Sequence, residues 1–332
     1  MRPLFTALSV ILLVPLLVPG WSRDERLPIF DGTPKVTVTR VPLDAIDASA
    51  RRVGALTYLG GIRLASRDPA FGGFSALAIE GTRFTLLSDG GLVFRFAMGG
   101  DLRPRDFGFG ALPDGPGTGW SKEERDSESL AIDPTTGTAW VGFERANAIW
   151  RYSSGLARSE AARAPAEMRR WPKNAGAEAL VRLSDGRFLV FAEDRRAPGG
   201  GTEALRFDRD PTDPRARAER FVYDAPAGYR PTDAAELPDG RLLVLNRAIS
   251  LADGFTATLA VVDSQAIRER ASIGGREVAR FAYPNVHDNF EGVAITREGA
   301  ATIVWLLSDD NGPTWFQRTL LLKFRLHLPQ AD

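Results

Sequence analysis

Cysteine is absent from the 332 residues. That excludes disulfides, iron–sulfur clusters, thiol nucleophiles, cysteine-ligated zinc and a lipid-bearing cysteine together. Histidine is scarce: His287 and His327 are the only two, so a three-histidine metal centre cannot be assembled. Any metal ion would have to be a hard cation held by oxygen. Net charge is absent as well, with 42 Lys+Arg against 42 Asp+Glu. A nucleic-acid binder held by phosphate neutralisation needs a basic excess that this chain lacks. Lysine is confined to Lys35, Lys122, Lys173 and Lys323, and arginine supplies the other cations. No G-x-S-x-G elbow occurs, since Gly-Phe-Ser-Ala-Leu at 73–77 lacks the second glycine. Neither a Walker A loop nor a G-x-G-x-x-G fingerprint occurs. These absences argue against serine-triad, P-loop and dinucleotide chemistry.

Long apolar runs are missing too, apart from one at the start. Arg2 followed by the apolar stretch Leu4–Val18, with Gly20 and Ser22 beyond it, predicts an export signal over residues 1–22. The absence of an Ala-x-Ala site leaves an uncleaved N-terminal anchor as the alternative. A periplasmic or secreted location is expected, or a membrane-anchored one. Residues 23–54 read as an N-terminal extension and 55–328 as the folded body.

What is present is a repeat. SALAIEGTRFTLLSD (75–89), ESLAIDPTTGTAWVGFER (128–145), EALVRLSDGRFLVFAED (178–194), DAAELPDGRLLVLNR (233–247) and EGVAITREGATIVWLLSDD (291–309) share one plan. Each runs from a polar residue through an apolar strand, a glycine turn and a second apolar strand to another polar residue. Their starts lie 53, 50, 55 and 58 residues apart. A third strand follows each hairpin, as in LVFRFAM, AIWRYS, EALRFD, TATLAVVD and TLLLKFRL, and a fourth follows some, as in AEMRRWP, AERFVYD and EVARFAYP. Four short strands recurring at this period predict an all-β β-propeller. Five blades are expected, with LTYLGGIRLAS (56–66) pairing onto the last blade to close the ring. A sixth blade built on KVTVTRVPLD (35–44) is the alternative, and a β-sandwich or solenoid fits the even period less well.

In a propeller the first strand of each blade lines the channel, and its start lies beside the end of the second strand. Ser75, Glu128, Glu178, Asp233 and Glu291 are therefore expected around one channel mouth, with Asp89, Glu144, Glu193, Asn246 and Asp309 one strand further out. Crowded like charges repel unless a cation neutralises them. Glu128, Glu178, Asp233 and Glu291 are the candidate ligands for Ca²⁺, which takes six to eight oxygens. Arg145, Arg195 and Arg247 follow second strands and are candidates for holding an anionic substrate, although ion pairs to neighbouring acids are an equally good reading. His287 and Glu178 are the candidate proton-transfer groups. The polar, glycine-rich stretch 114–128 is a candidate lid.

The run GGFSAL…LLSDGG, DSESLAID, AEALVRLSDGRFLVFAED, PTDAAELPDGRLLVLNR and DNFEGVAI…LLSDDN resembles the family described as esterase-like activity of phytase, over about residues 55–326. The resemblance implies a propeller, dependence on Ca²⁺, and hydrolysis of a phosphoester or carboxylic ester by metal-activated water. A lactonase-type propeller hydrolase and a non-catalytic binding propeller are the alternatives. The expected partner is a small anionic or ester substrate, with no nucleic acid, no membrane beyond the leader, and a monomeric state.

Overall fold

The computed structural model describes residues 27–174, 176–311 and 317–328; the expected leader over 1–22 lies outside them. Five antiparallel sheets form five blades. The first blade is Phe74–Glu80, Arg83–Ser88, Leu92–Ala97 and Arg105–Ala111, and the second is Ser127–Ile132, Ala139–Phe143, Ala148–Tyr152 and Ser159–Arg163. The third is Ala177–Arg182, Phe188–Arg196, Thr202–Phe207 and Ala218–Asp224, with Ser272–Gly274 added in parallel at its edge. Arg230–Glu236, Leu242–Ser250, Gly254–Val262 and Arg276–Phe281 make the fourth. The fifth joins Phe290–Glu298, Ala301–Ser308 and Thr319–Leu326 to Leu56–Ala65 from the start of the body. Each innermost strand touches the innermost strands of both neighbouring blades, so the ring is closed.

Local chemistry explains the hairpins. The turn glycines Gly81, Gly137, Gly186, Gly240 and Gly299 all adopt left-handed φ, between 60° and 86°, which a side chain resists. In the Asp-Gly-Arg turns the aspartate also accepts a backbone bond from the arginine: Arg187 N to Asp185 Oδ1 is 3.0 Å and Arg241 N to Asp239 Oδ1 is 3.1 Å. Each second strand carries a run of at least five consecutive buried residues. Ala139–Phe143 and Leu242–Leu245 are buried throughout, because a blade is covered on both faces.

The apolar interior is divided among the seams between blades. One cluster joins the fourth and fifth blades through Leu245, Leu259, Val304 and Leu322. Another joins the fifth and first through Phe84, Phe96, Trp305 and Leu321. The remaining three clusters fill the third–fourth, second–third and first–second seams. Aromatic edges lock individual seams: Phe84 meets Trp305 at 4.9 Å and Trp140 meets Phe188 at 4.9 Å between ring centroids.

Two sequence expectations change. KVTVTRVPLD does not found a sixth blade: Thr37–Arg40 pairs antiparallel with Leu56–Ala65 and becomes the outer edge of the fifth. AEMRRWP is not the outer strand of the second blade, a place taken by Ser159–Arg163. Pro165 and Pro172 bracket that segment and remove ladder donors. It turns instead, with Met168 N bonded to Pro165 O at 3.0 Å. Met168 and Trp171 thereby drop into the second–third seam.

Ring closure by Leu56–Ala65 makes Ile62, fully buried in the fifth–first seam, a test position. Ile62→Ala should lower the unfolding free energy by about 2–5 kcal/mol. Thr39→Ala, exposed on the outermost strand, should change it by less than about 0.5 kcal/mol. Urea denaturation followed by tryptophan fluorescence measures both, and equal effects would contradict closure by this strand.

Candidate metal centre

Each innermost strand carries a β-bulge at its first turn of ladder. The pairing register shifts between Phe74 and Ala76, Ser127 and Ser129, Ala177 and Ala179, Pro231 and Asp233, and Phe290 and Gly292. The extra residues are Ser75, Glu128, Glu178, Thr232 and Glu291. A bulged residue is released from pairing and re-aimed, and Glu128, Glu178 and Glu291 thereby line the channel mouth. The fourth-blade member is thus Thr232 and not Asp233. Where the bulged residue is a hydroxyl it ties two blades together: Ser75 Oγ donates to Ser127 O at 2.8 Å and Thr232 Oγ1 to Phe290 O at 3.3 Å.

The outer ring shifts in the fourth blade too. The residue before each bulge pairs with Ser88, Phe143, Ala192, Asn246 or Ser308. One residue further along come Asp89, Glu144, Glu193, Arg247 and Asp309. Arg247, not Asn246, holds the fourth-blade place. Asn246 is fully buried and donates to Val244 O at 3.3 Å.

These residues surround a cavity of about 180 Å³ lined by Asp89, Lys122, Glu128, Glu144, Asn174, Glu178, Glu193, Arg247, Glu291, Asp309 and Asn311. Seven carboxylates face two cations there. Of the sequence candidates, Ser75, Asp233, Asn246, Arg145, Arg195 and His287 are not among the lining residues. Asp233 turns toward the next blade, accepting Val293 N at 2.7 Å and Ala234 N at 2.8 Å. Arg145 braces the site from behind, with Nε 2.9 Å from Asp126 Oδ2 and Nη1 3.2 Å from Glu123. Arg195 lies 3.9 Å from Glu203. The His287 ring nitrogen Nδ1 is 2.8 Å from Asn285 O, in its own loop. Arg247 is at the cavity, bonded to Asn289 at 2.6 Å, to Glu193 at 2.9 Å and to Glu291.

Sequence reasoning missed Asp126, Lys122 and Thr232. The stretch 114–128 folds over the mouth and ends in a short helix, Lys122–Arg125. Glu124 fixes that loop by accepting from Thr118 Oγ1 at 2.6 Å and Trp120 N at 3.0 Å. Lys122 Nζ then reaches Asp89 at 2.6 Å. Thr232 was legible: it precedes the turn Gly240 by eight residues, as Glu178 precedes Gly186 and Glu291 precedes Gly299. Asp126 had no such repeat signal, because loop length varies between blades.

Two carboxylate triads stand out: Asp126, Glu128 and Glu144, and Glu144, Glu178 and Glu193, with ligand atoms within 4.8 Å of one another in each. A Ca²⁺ ion with oxygens at ~2.3–2.6 Å spans ligand pairs up to ~5 Å apart, so both triads fit a hard cation. Asp126 stands behind the lining: its Oδ2 accepts from Arg145 Nε at 2.9 Å, and its Oδ1, buried without a hydrogen bond, lies 3.8 Å from Lys122 Nζ. Gly176 makes the approach of blades possible: its N–H donates to Glu144 Oε1 at 3.1 Å, and a Cβ there would lie 2.7 Å from Glu144 O.

Without a cation, burial and like charge raise the carboxyls above their ordinary range. Burial raises Glu144 to about 8, helped by Asp126 and Glu193. Burial, then Asp126 and Glu178, push Glu128 well above its ordinary range. Burial and Glu193 do the same to Glu178, against the field of Arg247. Burial raises Asp309 well above its ordinary range, with Glu291 and Asp89 adding to it. Asp89 and Glu291 rise through burial, opposed by Lys122 and Arg247 respectively. Burial alone would lower Lys122, but Asp89, Glu128 and Asp126 raise it. Outside the cavity, burial lifts Asp233 to about 8 despite its two backbone donors.

Fold and site together define a five-bladed propeller with a buried, oxygen-rich acidic cavity at one mouth. Residues 69–312 match the family described as Phytase-like, esterase-like activity of phytase, and the chain belongs to that family. No curated protein sequence matches the chain. Among solved structures, the major allergen Mala s 1 of Malassezia sympodialis is similar at TM-score 0.44 and 9% identity, over 78% of this chain and 96% of that one. The hydrazine synthase of Kuenenia stuttgartiensis is similar at TM-score 0.38 and 11% identity over 78% of this chain, which spans 58% of that chain's length. The periplasmic gluconolactonase of Pseudomonas aeruginosa is similar at TM-score 0.39 and 16% identity, over 67% of this chain and 63% of that one. Among the described residues no helix is long and apolar enough to cross a membrane.

The raised carboxyls predict a pH dependence. Unfolded, Glu144 and Asp233 titrate near their ordinary 4.5 and 3.8; folded, near 8. Below the unfolded values both states are protonated. Between those values and about 8 the unfolded chain has released protons that the native state retains. Stability in chelator should therefore fall as pH rises from about 5 to 8. Glu144→Gln should flatten the fall. Urea midpoints across that range measure it, and a midpoint that climbs with pH would contradict this electrostatic picture.

Proposed function

We propose that this chain is an exported, Ca²⁺-dependent hydrolase of phosphoester or carboxylic ester bonds, working as a monomer on a small anionic or ester substrate. The observation that carries the reading is the excess of carboxylates over cations around one mouth, with two triads whose oxygens lie within 4.8 Å of one another. Asp126, Glu128, Glu144 and Glu178 would hold the ion, and export follows from the leader. A bound divalent cation would supply Lewis-acid polarisation of a phosphoryl or acyl oxygen and make nearby water more acidic.

The chain's own residues complete the chemistry. Glu178 lines the cavity and is held above its ordinary pKa by burial and by Glu193, which suits it to accept a proton from attacking water at a carboxylate oxygen. Lys122 stands at the rim with its side chain 48% exposed; an anionic group would meet it there in competition with Asp89, which it contacts at 2.6 Å. Arg247, engaged by Glu193 and Glu291, fixes carboxylates and is not free to clamp substrate. The cavity of about 180 Å³ is smaller than a typical small-molecule pocket of ~300–1,000 Å³. It would admit the reacting end of a substrate, the remainder lying over the rim. Neither Arg195 nor His287 has a role in this reading.

A panel of 4-nitrophenyl phosphate, 4-nitrophenyl acetate and a δ-lactone, assayed with Ca²⁺ and with chelator, tests it. Turnover of one class should require Ca²⁺, and Glu178→Gln should lower kcat by about 10²-fold or more while melting stays near wild type. Lactone turnover alone would favour a lactonase. Ca²⁺ that raises the melting temperature without turnover of any member would make the chain a binding propeller and refute the hydrolase.

A further inference from the structure

The mouth face is not polar throughout. In the fourth blade the second strand continues past Arg247 to Ser250 and stays paired, with Ile249 opposite Phe255 and Ser250 opposite Gly254. The hairpin therefore stands roughly 10 Å beyond the cavity ring, at ~3.3 Å per residue. The first and second blades turn back at once, with Gly91 N bonded to Ser88 O at 2.9 Å and Asn147 N to Glu144 O at 3.0 Å. The tip of the long hairpin is apolar: Ile249 is 70% exposed and Leu251 is wholly exposed. Its one acid, Asp253, accepts from Ser250 Oγ at 3.1 Å. Across the mouth, in the loop 114–128, Trp120 is 55% exposed.

The chain also enters the structure on this face. Leu27, the first described residue, donates its N–H to Trp120 O at 2.8 Å. Its side chain lies over Gly90, where an added Cβ would be 2.9 Å from Leu27 Cδ2, and Gly90 directly follows Asp89 of the cavity. Upstream, the apolar run Leu4–Val18 ends nine positions before Leu27. That length of chain reaches at most about 32 Å, so the run is tethered close to the mouth.

We propose that the mouth face rests on a lipid bilayer, with Ile249, Leu251 and Trp120 seated in its interface and Leu4–Val18 entering it from the same side. Tryptophan and exposed aliphatic side chains favour that interface, and apolar side chains raised into water at one face mark a surface for contact. The occupant is a bilayer and not a protein because the apolar run tied beside this face needs the same surroundings. Membrane contact thus extends beyond the leader. A consequence that rests on the hydrolase proposal is that the cavity meets lipid headgroups, whose phosphoester and carboxylic ester bonds are of the class proposed.

A chain without cysteine accepts one dye at one chosen place. Leu251→Cys and Trp120→Cys at the mouth, and Thr82→Cys in an exposed turn at the opposite end, would each carry a nitrobenzoxadiazole dye on the full chain. With phosphatidylcholine vesicles, both mouth-side dyes should shift to shorter wavelength and be quenched by spin-labelled lipid. The dye on Thr82→Cys should keep its aqueous spectrum. A mouth-side dye that stays in water, an equal shift in Thr82→Cys, or a chain that does not float with the vesicles would overturn the proposal. The dyes read no turnover, so this outcome and that of the substrate panel are independent.

Discussion

A four-stranded blade made of buried strands has two apolar faces and cannot cover either by itself. This constraint dictates the rest of the molecule. Five blades satisfy it only by standing side by side in a closed circle, each lending its faces to two neighbours. The apolar interior is accordingly five seams and not one central core. Leu56–Ala65 must return to the fifth blade, or the seams on either side of it would lose part of their lining. The channel mouth is a by-product of the circle: five strand starts and five strand ends have nowhere to point except toward each other.

That geometry makes the mouth electrostatically unusual. Each blade can contribute two polar side chains to a space of about 180 Å³. Carboxylates fill most of those places, and burial removes the water that would otherwise screen them. Three responses are visible. Burial and neighbouring carboxylates raise Glu128, Glu144 and Glu178 above their ordinary range. Lys122 arrives from the 114–128 loop to meet Asp89. Arg247 replaces a carboxylate outright. The responses are unevenly distributed. Arg247 pairs with Glu193 of the third blade and Glu291 of the fifth, and Lys122 with Asp89 of the first, while among the described residues no ion pair holds Glu128, Glu144 or Glu178.

Much of this was legible in the chain before any coordinates. The period, the glycine turns and the buried second strands specified the propeller, its five blades and the strand that closes it. Seven acids that end up around the cavity were found from their positions relative to those turns. The failures cluster in the fourth blade, where Asp233 and Asn246 are each one residue from the true ring members Thr232 and Arg247. A repeat aligned on acidic residues will choose the acid and miss a hydroxyl or an arginine at the same structural place, although the spacing to Gly240 marked Thr232 correctly. Asp126 and Lys122 were beyond reach for another reason. They come from an inter-blade loop whose path depends on its own contacts, such as Glu124 with Thr118 and Trp120, and no period governs it. Arg195 and His287 were placed near the mouth by sequence proximity, which says where a residue starts and not where its side chain ends.

The bulge repeated at all five strand starts has an evolutionary reading. An unpaired residue contributes nothing to the hydrogen-bond ladder, so its identity can change without loosening the sheet behind it. Glutamate at three of these places and a hydroxyl at two show the latitude already in use. The circle thus offers five interchangeable sockets on an invariant frame, and new chemistry can be tried one socket at a time while the architecture stands still.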